Sequence, residues 1–299
     1  MKTHFLLVFF LFFIKIEAQI DPKVYPTFSA MEEALKVSVE VKSLTFRDHG
    51  VFNIPKEIVQ FENLIFLNIM GNNLEKFDKE IFALKNLQYL NSNKNNIKFI
   101  PDEIRNLQNL ESLFLNLNAL TEVNPNIGAL KKLKIIHLDA NQIKVFPDAF
   151  LEIPGLEEIN LQSNNINTVS NDLFKIKNLK TLNLSSNQLN DIVEVRFPKK
   201  LKNIELQQNS IFELPKSLYR LKELEFININ QNKVKEISPK IANLKSLQSL
   251  NLANNKIEKI PTAISKLKNL KTIILTGNPL KKEDIEKLRN LLPETKVYF

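Results

Sequence analysis

A series of leucines at nearly constant spacing constrains the fold of this chain more than any other feature. Ten of them are 23 residues apart, with one step of 22: Leu64, Leu87, Leu110, Leu133, Leu156, Leu179, Leu201, Leu224, Leu247 and Leu270. A fixed period of about 20–50 residues is the signature of a repeat architecture. One such unit cannot bury its apolar face alone, so the units must stack on one another to form a continuous core.

Each unit carries the pattern Leu-x-x-Leu-x-Leu-x-x-Asn-x-Leu, which residues 179–189 show complete. The second and third leucines are two residues apart, so they point to the same face of a short strand. Stacked units therefore predict a parallel sheet with one strand per unit. An earlier, degenerate unit begins at Val41 and brings the total to about eleven.

One column of the repeat holds asparagine in ten units: Asn72, Asn95, Asn118, Asn141, Asn164, Asn187, Asn209, Asn232, Asn255 and Asn278. The chain leaves the strand and turns inward at this column. An amide side chain carries donors and an acceptor, so it can satisfy backbone groups of its own turn and of adjacent units. Because buried polar groups must be paired, we interpret this column as a structural asparagine ladder.

A second column holds proline in five units: Pro55, Pro101, Pro147, Pro215 and Pro261. Proline suits the first position of a helix, where its missing N–H is not needed. The apolar spacing that follows fits one or two helical turns. Each unit is thus predicted as strand, turn and short α or 3₁₀ segment. The unit from Leu179 is one residue short, and its outer side is predicted to be extended.

These columns resemble the leucine-rich repeat, and the resemblance covers residues 41–280. The 23-residue length and the Ile-Pro-x-x-Ile-x-x-Leu tail, as in residues 100–107, are similar to the repeats of Scribble and of plant intracellular Ras-group proteins. The resemblance implies a curved α/β solenoid, a horseshoe with parallel strands on the concave face and short helical segments on the convex face. It does not specify a ligand, since one scaffold serves many partners.

The first eighteen residues have the character of a secretory signal peptide. A basic start precedes an apolar run from Phe5 to Ile14, and Ala18 offers a small residue for cleavage. This run is shorter than the roughly 20 residues that span a bilayer. The sequence thus predicts an exported protein, secreted, periplasmic or at the cell surface; an uncleaved membrane anchor is the alternative.

Both ends of the repeat array are predicted to be capped. Residues 19–40 contain Ser29-Ala-Met-Glu32, a capping-box sequence, ahead of a helix at 31–35. Residues 281–299 contain a helix whose apolar positions 285, 288, 291 and 292 share one face. Residues 296–299 are predicted to add a short final strand.

Composition excludes several classes of chemistry. The chain has no cysteine, which removes disulfides, thiolate metal sites and cysteine nucleophiles. Of three histidines, only His137 lies on a predicted strand, where Asp139 could orient its ring. A metal site on His137, Asp139 and Glu158 would hold a single imidazole, and five glycines leave no phosphate-cradling motif. We expect no catalytic site, no metal and no cofactor.

The outward positions of the strands form three columns that are almost neutral and rich in amides. Their charged members are Arg47, Asp139, Glu158 and Glu205. Clustered exposed aromatic residues are typical of interaction hot spots, whereas isolated ones are ordinary surface. The candidate ligand-binding residues are Phe66, Tyr89, Phe114, Leu117, His137 and Phe226.

The formal net charge is +8, and most lysines lie outside the concave columns. One set precedes the strands: Lys85, Lys131, Lys177, Lys222, Lys245 and Lys268. A solvated flank that keeps the protein soluble explains them, and an electrostatic strip for an acidic polymer is the alternative. Nucleic acid is not expected, because its binding site would place arginine and lysine on the gripping face.

The sequence thus predicts a non-enzymatic recognition module. We expect the concave face to bind a protein or peptide, with a glycan as a second ligand class. The alternative is an envelope-associated or structural protein that contacts an acidic polymer or membrane surface through its lysine flank. Contact with a membrane is otherwise expected only through the signal peptide before cleavage.

Overall fold

In a computed structural model that describes residues 26–299, the repeats form one parallel sheet of 13 strands in chain order. The strands are β1 Thr27–Phe28, β2 Ser43–Thr45, β3 Phe66–Asn68, β4 Tyr89–Asn91, β5 Ser112–Phe114, β6 Ile135–His137, β7 Glu158–Asn160, β8 Thr181–Asn183, β9 Asn203–Glu205, β10 Phe226–Asn228, β11 Ser249–Asn251, β12 Thr272–Ile274 and β13 Lys296–Tyr298. The predicted signal peptide at 1–18 lies outside the described residues.

The register of the sheet follows the leucine spacing. Leu67 pairs with Leu90 and Leu90 with Leu113, a step of 23 residues, whereas the step from Thr181 to Asn203 is 22. The alternating leucine or isoleucine side chains of the strands, such as Leu113, point into the solenoid and are buried, and Ser92 takes one of these positions in the repeat of β4. Stacked apolar columns thus form one continuous core, and the predicted solenoid is confirmed.

The segments opposite the sheet are 3₁₀ turns of three to five residues rather than α-helices. They are Ser38–Glu40, Lys56–Gln60, Lys79–Ala83, Asp102–Asn106, Pro125–Ala129, Asp148–Glu152, Leu173–Lys175, Leu218–Arg220, Pro239–Asn243 and Thr262–Lys266. Runs this short favour the i to i+3 bond. Within the described chain none lies between β8 and β9, where the repeat is one residue short.

The proline column lies one position earlier than predicted. Pro55, Pro101, Pro147 and Pro261 are the N-cap residues of their 3₁₀ segments rather than the first residues within them. The proline carbonyl accepts the first N–H of the turn, as between Pro101 and Ile104 at 3.1 Å. The fixed φ of proline thus sets the direction in which the chain enters the turn.

Short helices lie beside both ends of the repeat array. The first, α1, spans Met31–Leu35. The predicted capping box is wrong, because the N-cap is Ala30 and no side chain caps this helix. The second, α2, spans Lys282–Leu291 and buries Leu288, but Leu291, which was predicted on its apolar face, is 36% exposed. Two short strands, β1 and the predicted β13, continue the sheet on either side.

The ten asparagines of the ladder column hold each turn to the preceding repeat. Each Nδ2 donates to a carbonyl in its own turn and to one in the preceding unit, and each Oδ1 accepts an N–H of that preceding unit. For Asn141 these partners are Leu138 O at 2.9 Å, Leu115 O at 2.9 Å and Leu120 N at 3.0 Å. The side chain therefore replaces backbone pairing that the turn cannot make.

The residue before each ladder position takes up the left-handed conformation. The column comprises Asp48, Gly71, Lys94, Leu117, Ala140, Ser163, Ser186, Gln208, Gln231, Asn254 and Gly277, with φ between 52° and 75°. A left-handed conformation costs a non-glycine residue roughly 1–2 kcal/mol. Eight non-glycine residues that precede a ladder asparagine accept this strain, because it turns the backbone so that the asparagine points inward, and Asp48 takes up the same conformation before His49.

A second row of asparagines lies just before the strands, at the ends opposite the ladder turns. It consists of Asn63, Asn86, Asn109, Asn178 and Asn269, whose Nδ2 groups donate to carbonyls 24 residues earlier at 2.7–3.0 Å. Consecutive repeats are therefore bonded before the strand as well as after it. This row was not predicted from the sequence.

Removing a ladder amide should be strongly destabilising. We expect Asn141→Ala to lower the free energy of unfolding by about 3 kcal/mol, because it leaves the buried groups of Leu115, Leu138 and Leu120 unpaired. Asn167→Ala is the matched control, since that asparagine is exposed and should change stability by less than about 0.5 kcal/mol. Urea unfolding of both variants measures the difference; equal effects would contradict the structural role of the ladder.

The left-handed column makes a second prediction. Leu117 is 48% exposed and has φ of 56°, so its side chain adds strain with little packing. The Leu117→Gly variant should be more stable than the Leu117→Ala variant by about 1 kcal/mol. Both variants lose the packing of the leucine side chain, and only alanine keeps the Cβ atom that causes the strain. Urea unfolding of Leu117→Gly and Leu117→Ala measures this order, and a more stable alanine variant would contradict it.

Candidate functional site: the concave face

The concave face is lined by side chains that point outward from the strands. Its central column carries asparagine at six positions, Asn68, Asn91, Asn160, Asn183, Asn228 and Asn251. The Oδ1 of each accepts the N–H two residues later at 3.0–3.3 Å. The acceptor atom is thus used by the backbone, and the Nδ2 donor remains for a neighbouring side chain or a ligand.

Four of the predicted site residues form a continuous row across β3 to β6. The rings of Phe66 and Tyr89 stack at 4.3 Å between centroids, with an interplanar angle of 14°. Tyr89 is followed by Phe114 at 5.0 Å, and Phe114 meets His137 edge to face at 5.0 Å. Such aromatic pairs contribute roughly 0.5–1.5 kcal/mol each beyond their buried area. We call Phe66, Tyr89, Phe114 and His137 the aromatic row.

The aromatic row ends on a carboxylate. Nε2 of His137 lies 2.7 Å from Oε1 of Glu158 on β7, and both side chains are about one-sixth exposed, at 17% and 16%. The sequence left open that Asp139 orients this ring, and the hydrogen bond of the ring runs to Glu158 instead. Glu158 is the register partner of Ile135 and so lies diagonally across from His137 on the next strand, and its long side chain spans that diagonal to reach the imidazole.

Phe114 is more buried than the sequence suggests. Its side chain is 8% exposed, because Tyr89 covers it on one side and His137 on the other. Burial also raises the pKa of Tyr89, an effect that a hydrogen bond from Asn91 opposes. The other members of the aromatic row therefore form its ligand-accessible surface. Phe114 packs between Tyr89 and His137 and holds both rings in place.

The other two predicted site residues lie apart from the aromatic row. Leu117 belongs to the left-handed column at the turn, beyond the end of β5. Phe226 lies on β10, three strands beyond the β7 carboxylate, and its register partners are Asn203 and Ser249. The structure thus brings four of the six candidates together.

A half-buried carboxylate, that of Asp139, lies beside this row. Burial raises the pKa of Asp139, while the nearby His137 lowers it. Its Oδ1 accepts a hydrogen bond from Nδ2 of Asn160 at 2.9 Å. Together with Glu158, this residue makes the middle of the concave face acidic in a chain whose net charge is +8.

Residues 26–299 contain neither a cluster of metal-binding side chains nor a membrane-spanning helix. No group of three or more histidine, aspartate or glutamate residues in this part of the chain could hold a metal ion. No helix in the same range is both long and apolar enough to cross a bilayer.

Two family models match the sequence. A leucine-rich repeat region model covers residues 40–215, and a leucine rich repeat model covers residues 232–280. The chain belongs to the leucine-rich repeat family. Proteins of this family are generally non-catalytic binding modules. No curated protein matches the sequence.

Solved leucine-rich repeat structures superpose over most of the chain. A leucine-rich repeat protein of Leptospira interrogans has a TM-score of 0.70 at 26% identity, covering 91% of this chain and 99% of its own. The plant peptide hormone receptor RGFR1, solved with RGF2, has 0.66 at 26%, covering 86% and 45%. FLRT2, solved in an octameric complex with Latrophilin 3 and Unc5D, has 0.74 at 24%, covering 86% and 83%. Leucine-rich repeat relatives thus bind peptides and proteins.

The Asp139 environment predicts a pH-dependent stability. The pKa of Asp139 is raised in the folded protein above its ordinary value of 3.8. The contribution of Asp139 to the free energy of unfolding is therefore fully present below its pKa in the unfolded chain. This contribution is lost as the pH rises through the pKa of the folded state. Asp139→Asn keeps an acceptor for Asn160 without the charge. We expect it to melt at a higher temperature than the wild type near pH 7, and the difference to vanish near pH 3.

Thermal unfolding monitored by circular dichroism measures this difference. Asp148→Asn removes an equally negative but exposed side chain and controls for the change in net charge. A gain in the Asp139 variant that is the same at both pH values, or no gain at pH 7, would contradict the assignment.

Proposed function

We propose that this protein is a non-enzymatic recognition module whose concave face binds a protein or peptide. The observation that carries the proposal is the aromatic row from Phe66 to His137, which continues to Glu158 without a break across five neighbouring strands. Binding energy in protein interfaces is concentrated in a few aromatic and charged side chains that are held in place before binding. The aromatic row has these properties.

Preorganisation supports this site over the rest of the face. Every ring of the row is fixed by a neighbouring ring, and the last is fixed by a carboxylate. A ligand therefore meets side chains whose rotamers are already set, which removes about 0.5–1.5 kcal/mol of ordering cost for each. Phe226 lies on β10, outside the aromatic row, whereas the contiguous contacts from Phe66 to Glu158 run from β3 to β7, so we place the anchor in the N-terminal half of the face.

The polar surroundings favour an extended peptide segment. Asn68, Asn228 and Asn251 of the central column offer Nδ2 donors, since their acceptor atoms are occupied by the backbone. Peptide carbonyls are the matching acceptors, and aromatic side chains of the segment could stack on Phe66 or Tyr89. The acidic centre formed by Asp139 and Glu158 favours a segment with basic side chains.

We further propose that the protein acts outside the cytoplasm. The support is the amino-terminal sequence, with its basic start, short apolar run and small residue at Ala18. A chain without cysteine suits this placement, since oxidation cannot mispair it. Amino-terminal sequencing of the protein recovered from the culture medium or the envelope tests cleavage after Ala18.

Peptide selection tests the concave-face proposal. A random peptide display library panned on the purified protein should yield peptides whose affinity is measured by fluorescence anisotropy. We expect Phe66→Ala to weaken these peptides by about tenfold or more, because it removes the outer ring of the stacked pair.

Phe226→Ala is the matched control for this experiment. It removes the same side chain from the same column of the same face, three strands away from the β7 carboxylate, and should change affinity by less than about twofold. Selected peptides that tolerate Phe66→Ala, or that depend on Phe226 instead, would contradict the aromatic row as the anchor.

A further inference from the structure

At the amino-terminal ends of the strands, along the flank of the solenoid that we call the entry edge, five consecutive repeats carry a lysine. These residues, which we call the lysine row, are Lys177, Lys199, Lys222, Lys245 and Lys268. Each lies two positions before the first leucine of its unit, ahead of β8 to β12. Neighbouring strands are about 4.8 Å apart, so the row extends for about 20 Å along the edge.

The charges of the lysine row are not neutralised by nearby carboxylates. All five side chains are exposed, and none forms an ion pair within residues 26–299. The glutamates that follow the first leucine of their units are paired with other lysines. Glu157 pairs with Lys180 at 2.6 Å, and Glu225 lies 3.6 Å from Lys202. The edge therefore presents a line of uncompensated positive charge.

Earlier lysines of this flank are used differently. Lys131 donates from Nζ to the carbonyls of Gly128 at 2.6 Å and Glu152 at 2.8 Å, and so caps two 3₁₀ segments. Lys132 donates to Asn109 at 2.7 Å. Within the described part of the chain the lysine row makes no such side-chain hydrogen bonds, apart from a 3.5 Å contact of Lys245 with the carbonyl of Lys266. Packing and internal hydrogen bonding therefore do not explain its five members.

We propose that the lysine row is a second binding site, which takes a linear acidic polysaccharide along the edge of the solenoid. The lysines of the row recur once per repeat, about 4.8 Å apart along one line, which matches a chain with regularly spaced anionic groups better than a flat anionic membrane, against which a broad basic face would be needed. Lysine acts as a point charge towards carboxylates and sulfates, whereas phosphate and base recognition favours arginine and exposed aromatic rings.

Glu223 provides an internal test of the charge argument. It is exposed beside Lys222 and forms no ion pair among the described residues. A carboxylate at this place should repel a polyanion lying on the row. Glu223→Gln is therefore expected to strengthen binding by about twofold, an outcome that loss of folding cannot produce.

The experiment measures binding of the purified protein to polygalacturonate and to heparin at several salt concentrations. We expect the wild type to bind with an affinity that falls steeply as salt rises, because counterions are released. The variant K177Q/K199Q/K222Q/K245Q/K268Q should lose roughly tenfold or more in affinity and most of the salt dependence. The aromatic-row variant Phe66→Ala should bind as the wild type does, which separates this site from the concave face.

The matched control is K76Q/K144Q/K235Q/K256Q/K259Q. It removes the same charge from exposed lysines at the opposite edge, after the ladder turns, and should keep its affinity within about twofold. Equal losses in both variants, or no binding by the wild type, would overturn the proposal. Stronger row-dependent binding to phosphatidylglycerol vesicles or to polydeoxythymidylate would overturn the choice of a polysaccharide.

Discussion

The hydrogen bonds of one asparagine per repeat are the interaction on which the rest of the structure depends. A chain that leaves a strand every 23 residues must turn into the core, and that turn exposes backbone groups to an apolar interior. The ladder amide pairs groups of its own turn and of the repeat before it. It thereby fixes the distance between neighbours, and the strained residue before it gives the turn its direction.

The binding surfaces follow from this constraint. With the strands held in one register, side chains of neighbouring repeats are brought to about 4.8 Å spacing, at which aromatic rings can touch. The aromatic row is therefore a property of the stack and not of any single repeat. The lysine row arises in the same way at the edge, where one residue in each of five units becomes a continuous line of charge.

Periodicity alone predicted the sheet, its register and the buried leucine columns, because burial of apolar side chains repeats at the interval of the strands. The row beginning at Asn63 escaped prediction because it occupies only half of the units. The partner of His137 was also missed. Sequence proximity suggested Asp139, whereas the side chain of Glu158 reaches the ring diagonally from the next strand, a contact that depends on its rotamer. The burial of Phe114 depends on the side-chain conformations of Tyr89 and His137, which the alignment of the repeats does not specify.

Hydrogen exchange of individual backbone amides tests the central claim most directly. The N–H groups of Leu120 and Ile143 donate to the Oδ1 atoms of Asn141 and Asn164 at 3.0 Å. If the ladder holds the repeats together, these turn amides exchange only when the surrounding repeats unfold, with the same free energy of opening as the strand amides of β6 and β7. Turn amides that open with a free energy near zero, while the strands stay protected, would contradict the account.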